Sequence, residues 1–442
     1  MLDSLGTVLA DDAGCEASTT VLLGIKGFAA LAVPQGMTDL GDGFNDRLNV
    51  FMDGLGRGLR SDTQRARFAE YVIGLLSDAE RKSLEPLAAR LCPDPGRVDA
   101  AHQALHYFVC EAPWNDRQVR RTATGWALWA ATSAGAVRRT IVDDTGLLKQ
   151  GTESVGVARQ YTGSAGKITN CQVAPTLVVT TDHDVVPVDI ALYLPEGWTN
   201  DPARLNKVHV PSTVQFRTKA ELAMDMLRAA RADGVPLGEV VHADADYGRS
   251  REFRDMIHEE LGLRYVVGVH GTQRVWDTEG VWCAPIAVDE LAAMMAPEEF
   301  RRVTWRKDTN GDPLSGRFAA RRVYAADGSE PPTEATRAEW LIIEWRDGEE
   351  HPARFYLATL PADWTLRQLV QELKERWRTE RFNEDLKGEL GFDHFEGRSW
   401  VGWHHHMSVV FACYALLVAE RIVAFPPSAP CTPRANADRC TA

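Results

Sequence analysis

At 442 residues the chain is longer than one compact unit usually runs, so two or three units with their own cores are expected. A net charge of −13 argues mildly against a protein that coats nucleic acid by overall charge, because such binding comes from Lys and Arg neutralising phosphates; a local basic groove stays open. With 45% hydrophobic and 25% charged residues, the composition is that of a folded globular protein, neither fibrous nor wholly disordered.

Residues 1–60 are Gly-rich and carry no pattern that places them. Their one long apolar run, VLLGIKGFAALAV at 21–33, is too short to span a bilayer, contains Lys26 and follows no basic segment, so neither a signal peptide nor a membrane span is expected. Over 61–135 apolar residues recur at three- and four-residue spacing, as in RARFAEYVIGLLSDAERKSLEPLAARL, which predicts a helical N-terminal domain, read as DNA-binding. Ser77 and Glu80 have capping-box spacing and predict a helix start.

From 136 the pattern changes. AVRRTIVDDTG, ITNCQVAPTLVVTTD and VVPVDIALYLP are rich in β-branched residues and read as successive strands. The helix KAELAMDMLRAARADG, the strand GEVVHADADYG, a second helix and the strand RYVVGVH follow, which is the alternation of a mixed α/β sheet over 136–270. Between 271 and 354 short strand-like runs separated by NGD and ADGSEPP predict a β-rich insertion. Regular structure resumes over 355–425 with the strand RFYLATL, a helix over 365–390 and a last helix around WVGWHHHMSVVFACYALLVAERI. The Pro-rich tail 426–442 is expected to be disordered.

Eight cysteines without a CxxC pair read as reduced thiols, with Cys110, Cys171 and Cys413 in the core. His404, His405 and His406 are consecutive on a helix, point about 100° apart, and cannot jointly chelate one ion. Trp364, Trp377, Trp400 and Trp403 are expected to pack the last two helices.

The acidic residues carry the chemistry. Asp143 and Asp144 end the first predicted strand, and Asp244 and Asp246 end the fourth, where α/β folds collect ligands. On a helix, Arg376, Glu380 and Lys387 share one stripe, which sets a carboxylate between two cations. A cluster of such oxygen ligands suits Mg²⁺ or Mn²⁺ better than zinc. Segment 300–324 holds seven Lys or Arg (Arg301, Arg302, Arg306, Lys307, Arg317, Arg321, Arg322) against two Asp, and a hairpin turning at Asn310 and Gly311 would line them along two strands, with Trp305 available for base stacking.

Strand order, Asp after strands one and four, the insertion and a helix with Arg-x3-Glu-x6-Lys together resemble the DDE transposases of bacterial insertion sequences, over roughly residues 65–415. APWND, KQGTESVGVARQYTGSAGKITNCQV, LYLPEGW, ELGFDHFEGRSW and GWHHH add to the likeness. The resemblance implies an α/β, RNase H-like mixed-sheet catalytic core interrupted by a β-rich insertion. It also implies catalytic and metal-binding roles for Asp144, Asp244 and Glu380, with two Mg²⁺ or Mn²⁺ ions, and leaves Asp143 and Asp246 as neighbours. Arg376 and Lys387 become DNA contacts, DNA the partner, a homodimer on DNA the working form, and the bacterial cytoplasm, on the nucleoid, the location. Leu373 stands where the family signature has Tyr, and Asp246 where many relatives have Gly. The implied function is cleavage at element ends and strand transfer. The alternative is a domesticated derivative that binds DNA as a regulatory or structural protein, and the intact carboxylates weigh against it.

Overall fold

The computed structural model describes residues 44–424 apart from 279–283, 309, 329–330 and 335. The apolar run at 21–33, most of the unplaced N-terminal segment and the tail 426–442 lie outside the described residues.

Five helices open the described chain: α1 (Phe44–Gly56), α2 (Asp62–Leu76), α3 (Leu84–Leu91), α4 (Val98–Cys110) and α5 (Asp116–Ala134). Ser61 and Asn115 cap α2 and α5 by accepting from the amides of Gln64 and Gln118. Ser77 does not open a helix as its spacing predicts. It closes α2, with its hydroxyl donating to the Gly74 carbonyl, and α3 starts only after Ser83. The intervening segment is pinned instead by Lys82, whose buried ammonium donates to the carbonyls of Leu75 and Glu389.

Four strands follow, β1 (Arg139–Leu148), β2 (Ala158–Thr162), β3 (Lys167–Thr180) and β4 (Val185–Ile190), then helix α6 (Lys219–Ala232) and strands β5 (Val240–Ala243) and β6 (Arg264–Val269). β1 runs antiparallel to β3 and β3 antiparallel to β4, while β1, β5 and β6 are parallel. The order β4-β3-β1-β5-β6 is the RNase H-like arrangement that the resemblance implies.

The insertion supplies β7 (Arg274–Asp277), β8 (Ile286–Ala287), β9 (Arg301–Lys307), β10 (Pro313–Ala325) and β11 (Ala338–Trp345), and β12 (Arg354–Ala358) follows. β12 pairs antiparallel with β6, β11 with β12, and β10 with β11, so the insertion prolongs the core sheet to twelve strands and covers the edge of β6. The last helices are α7 (Leu366–Leu373), α8 (Trp377–Leu390) and α9 (Trp400–Ala424).

α9 is apolar enough and long enough to cross a membrane, yet its most apolar window is 83% buried, packed among α2, α4 and α5. The three histidines fasten it there. His405 stacks on Trp114 and meets the Val109 and Trp114 carbonyls, and His406 lies 2.6 Å from the Tyr71 hydroxyl. Burial keeps His405 down to about 4 and His406 to about 3, so both rings are neutral parts of the core. Arg47 and Glu420 form a buried ion pair between α1 and α9 at 2.9 Å. Cys110, Cys171 and Cys413 are buried free thiols.

Candidate active site

β1 is buried along both faces, and its residues alternate between them. Arg139 reaches the α7 side: Nε and Nη2 donate to Glu372 at 2.6 and 2.7 Å. Asp143, four residues on, faces the same way and accepts from Arg376 Nη1 at 2.8 Å. Asp144 faces the other way, toward α6. Its Oδ2 lies 2.5 Å from the Lys219 ammonium, and the Tyr247 hydroxyl donates to its Oδ1. Lys219 is held equally by Asp246, also at 2.5 Å.

β5 repeats the pattern. Ile141 pairs with His242 in the parallel register, and His242 lies 3.0 Å from Glu372, so His242 shares the face of Asp143. Asp244 comes two residues later, just past the strand, as the cap of the one-turn helix Ala245–Gly248, accepting from the Asp246 amide. That turn presses against β6, and a Cβ on Gly248 would lie 1.9 Å from the Gly268 carbonyl oxygen. Burial first, then the charges of Asp144 and Asp143, push Asp244 up to about 7. A crowded carboxylate shifted this far toward neutrality marks a place that calls for a cation.

The helix expected over 365–390 is broken. A 3₁₀ turn, Lys374–Arg376, separates α7 from α8, and Glu380 falls in the first turn of α8. Glu380 and Lys387 share the expected stripe on α8, and Arg376 stands at its entry as the cap residue. Arg376 turns in to Asp143. Lys387 is half-buried and donates to the Gly146 carbonyl of β1 and to Ser164. Glu380 is exposed and makes no hydrogen bond among the described residues, although its charge reaches Arg376 and Asp143. Leu373 is buried in an apolar cluster with Val240, Val266, Phe318 and Leu369, so the signature's Tyr position belongs to the core here.

The strand's alternation puts the two aspartates on opposite faces of β1. Asp143, not Asp144, shares the face of Arg376 and Glu380, and Asp244 lies within electrostatic reach of both aspartates. Sequence reasoning missed Lys219, Tyr247 and the Arg139–Glu372–His242 cluster beneath the site. Only the Thr218–Glu221 capping box announces Lys219, by putting it first in α6, and nothing in the local sequence says what it touches.

Three carboxylates, Asp143, Asp244 and Glu380, act on Arg376 together with the Tyr356 phenol, and such carboxylate oxygens suit a hard divalent ion. Among the described residues no three Asp, Glu, His or Cys side chains are grouped closely enough to hold an ion; Glu380 is exposed and Arg376 pairs with Asp143.

The expected cation hairpin forms as β9 and β10, but its charges divide. Arg302 pairs with Asp347 at 2.7 Å, Arg321 with Asp277 at 3.0 Å and Glu299 at 2.7 Å, and Arg322 donates to the Ala338 carbonyl. Arg306 lies over Trp377 at the start of α8, 3.9 Å from the ring centroid. Arg301 and Lys307 are exposed and form no ion pair among the described residues. Trp305 does not offer a face for base stacking, because it packs edge-on to Phe318 with Lys374 on its ring.

A family profile described as DDE superfamily endonuclease matches residues 51–351, a span that holds Asp143, Asp144 and Asp244 and ends before Glu380. A curated protein from Microchaete diplosiphon, "Probable transposase for insertion sequence element IS701", is 27% identical over 203 residues, 46% of this chain and 48% of that protein. A cryo-EM structure of a piggyBac transposase synaptic complex with hairpin DNA is similar at a TM-score of 0.42 and 10% identity, covering 82% of this chain and 66% of that one. The chain spans about half the length of the curated relative it matches.

Proposed function

Since the chain belongs to the DDE superfamily endonuclease family, whose members generally use divalent metals, we propose that it is a DNA transposase whose carboxylates Asp143, Asp244 and Glu380 cut DNA at element ends and join them to a target. One observation carries the assignment of residues: Asp143, in the middle of β1 just past its pairing with β5, and Asp244, just past the end of β5, lie on the same face, with Arg376 and the first turn of α8 set against them. The name of the curated relative supports the reaction class.

Bound there, Mg²⁺ or Mn²⁺, two ions in the full site, would supply a clamp on the scissile phosphate and an activated oxygen nucleophile. The chain's own residues do the rest. Asp143 holds a fixed position within β1 and Asp244 one just past β5, and Glu380, on a helix turn open to solvent, closes the set from the DNA side. Lys219 and Tyr247 tie Asp144 down on the other face, which makes it a positioning residue for the strand end. Arg376 has donors to spare for a backbone phosphate, and Arg301, Arg306 and Lys307 offer exposed positive charge along β9. The working form is a dimer on DNA, checked by the mass of the protein–DNA complex in light scattering.

The test is nicking of a duplex carrying the element end, with Mg²⁺, by Asp143→Asn, Asp144→Asn, Asp244→Asn and Glu380→Gln. The first, third and fourth should lose about 100-fold or more in rate, the scale seen when one preorganised electrostatic group is removed, and Asp144→Asn should lose much less. Wild-type cleavage by Asp143→Asn together with an inactive Asp144→Asn would return the site to Asp144.

A further inference from the structure

Arg376 makes less of its guanidinium than its surroundings allow. It binds Asp143 end-on, through Nη1 alone at 2.8 Å, and its other nitrogens make no hydrogen bond among the described residues. Its side chain is 31% exposed, against 11% for Asp143. Arginine that serves only to neutralise a carboxylate usually presents a two-pronged fork, as Arg139 does to Glu372. The acceptor is also half used: Nη1 and the Asp144 amide both converge on Asp143 Oδ1, and Oδ2 takes no hydrogen bond among the described residues. The pair therefore leaves an acceptor on one side and several donors on the other. Arg376 ends the 3₁₀ turn that joins α7 to α8, a junction where the backbone already departs from the helix on either side.

We infer that Arg376 is a coupling residue, the placeholder cation of the carboxylate site: it neutralises Asp143 in the free protein, and moves to a DNA backbone phosphate when DNA binds, so that divalent metal and DNA bind cooperatively. The inference rests on the carboxylate assignment of the preceding subsection. Two cations cannot share Asp143 without cost, so a metal ion entering the free protein must compete with the guanidinium. A phosphate that engages Arg376 removes the competitor. Linkage then requires that metal tighten DNA binding by the same factor as DNA tightens metal binding.

The experiment measures Mn²⁺ binding to the full chain by the loss of free-ion electron paramagnetic resonance signal, with and without a duplex oligonucleotide, for the wild type, Arg376→Gln, Arg376→Lys and Asp143→Asn. Phosphate oxygens can ligate metal directly, so the decisive measurement is made without DNA. There Arg376→Gln should bind Mn²⁺ about tenfold more tightly than the wild type, within the usual range of coupling between sites, and should gain less from added DNA. Arg376→Lys, which keeps a cation, should restore weak binding without DNA, a rescue that a merely misfolded variant would not show. If Arg376→Gln binds Mn²⁺ no more tightly than the wild type while Asp143→Asn loses binding, the coupling is refuted and the carboxylate assignment stands. If Asp143→Asn binds Mn²⁺ like the wild type, the assignment falls and the coupling with it.

Discussion

Glu372→Gln tests whether the cluster under the site holds it in place. Glu372 is buried on α7, takes a two-pronged bond from Arg139 and lies 3.0 Å from His242. Burial alone would raise its pKa, but the hydrogen bonds and charges of His242 and Arg139 prevail and hold it down to about 2 from 4.5. A carboxylate favoured to that degree contributes about 3 kcal/mol of stability at neutral pH. The folded-state value lies below the unfolded one, so the contribution is complete above pH 4.5 and is lost as the pH falls through about 2. The amide keeps the shape and cannot ionise. Urea unfolding followed by tryptophan fluorescence should place Glu372→Gln about 3 kcal/mol below the wild type at neutral pH, with the gap narrowing steadily in acid. A gap that stays constant with pH, or one under about 1 kcal/mol at neutral pH, would refute the reasoning and leave Glu372 an ordinary buried residue. DNA cleavage should fall with it, because Glu372 sits one turn before Arg376 and two before Glu380.

Alanine at Arg301, Arg306 and Lys307 should weaken DNA binding and reduce the slope of log affinity against log salt, as fewer counterions are released; Arg321→Ala should leave that slope alone and lower the melting temperature, since Arg321 closes a half-buried pair with Asp277 and Glu299. Unchanged salt slopes in the triple variant would remove β9 from the DNA surface. Gly248→Ala should destabilise by at least about 1–3 kcal/mol and cripple cleavage by displacing the turn that Asp244 caps, because its Cβ would meet the Gly268 carbonyl backbone at 1.9 Å; a soluble, fully active variant would show that the turn can give way.

Legibility ended at different points for different physical reasons. The RNase H-like strand order could be read because β-branched runs, turns and helices alternate in a way few topologies accommodate. Which of two adjacent aspartates faces Arg376 could not, since β1 is covered on both sides: Ile141 and Val142 are both fully buried, so no polar and apolar alternation labels a face. Only partners distant in sequence do so, Glu372 and Arg376 on one side and Lys219 on the other. The ion pairs of the basic hairpin were hidden for a similar reason. Its cations could be counted, but Asp277, Glu299 and Asp347, which neutralise several of them, are brought in by the fold.

The break between α7 and α8 is the most consequential miss, because no Gly or Pro marks it in LVQELKERWRTERF and helix periodicity runs straight through. Its cause is tertiary. The 3₁₀ turn ends on Arg376, which caps α8, so Arg376 reaches Asp143 from the helix entry while Glu380, one turn on, is exposed. The motif therefore sets a partly exposed cation at the helix entry beside an exposed carboxylate. On the proposed coupling, the acidic site is neutralised by Arg376 without metal and completed when a DNA phosphate draws the guanidinium outward.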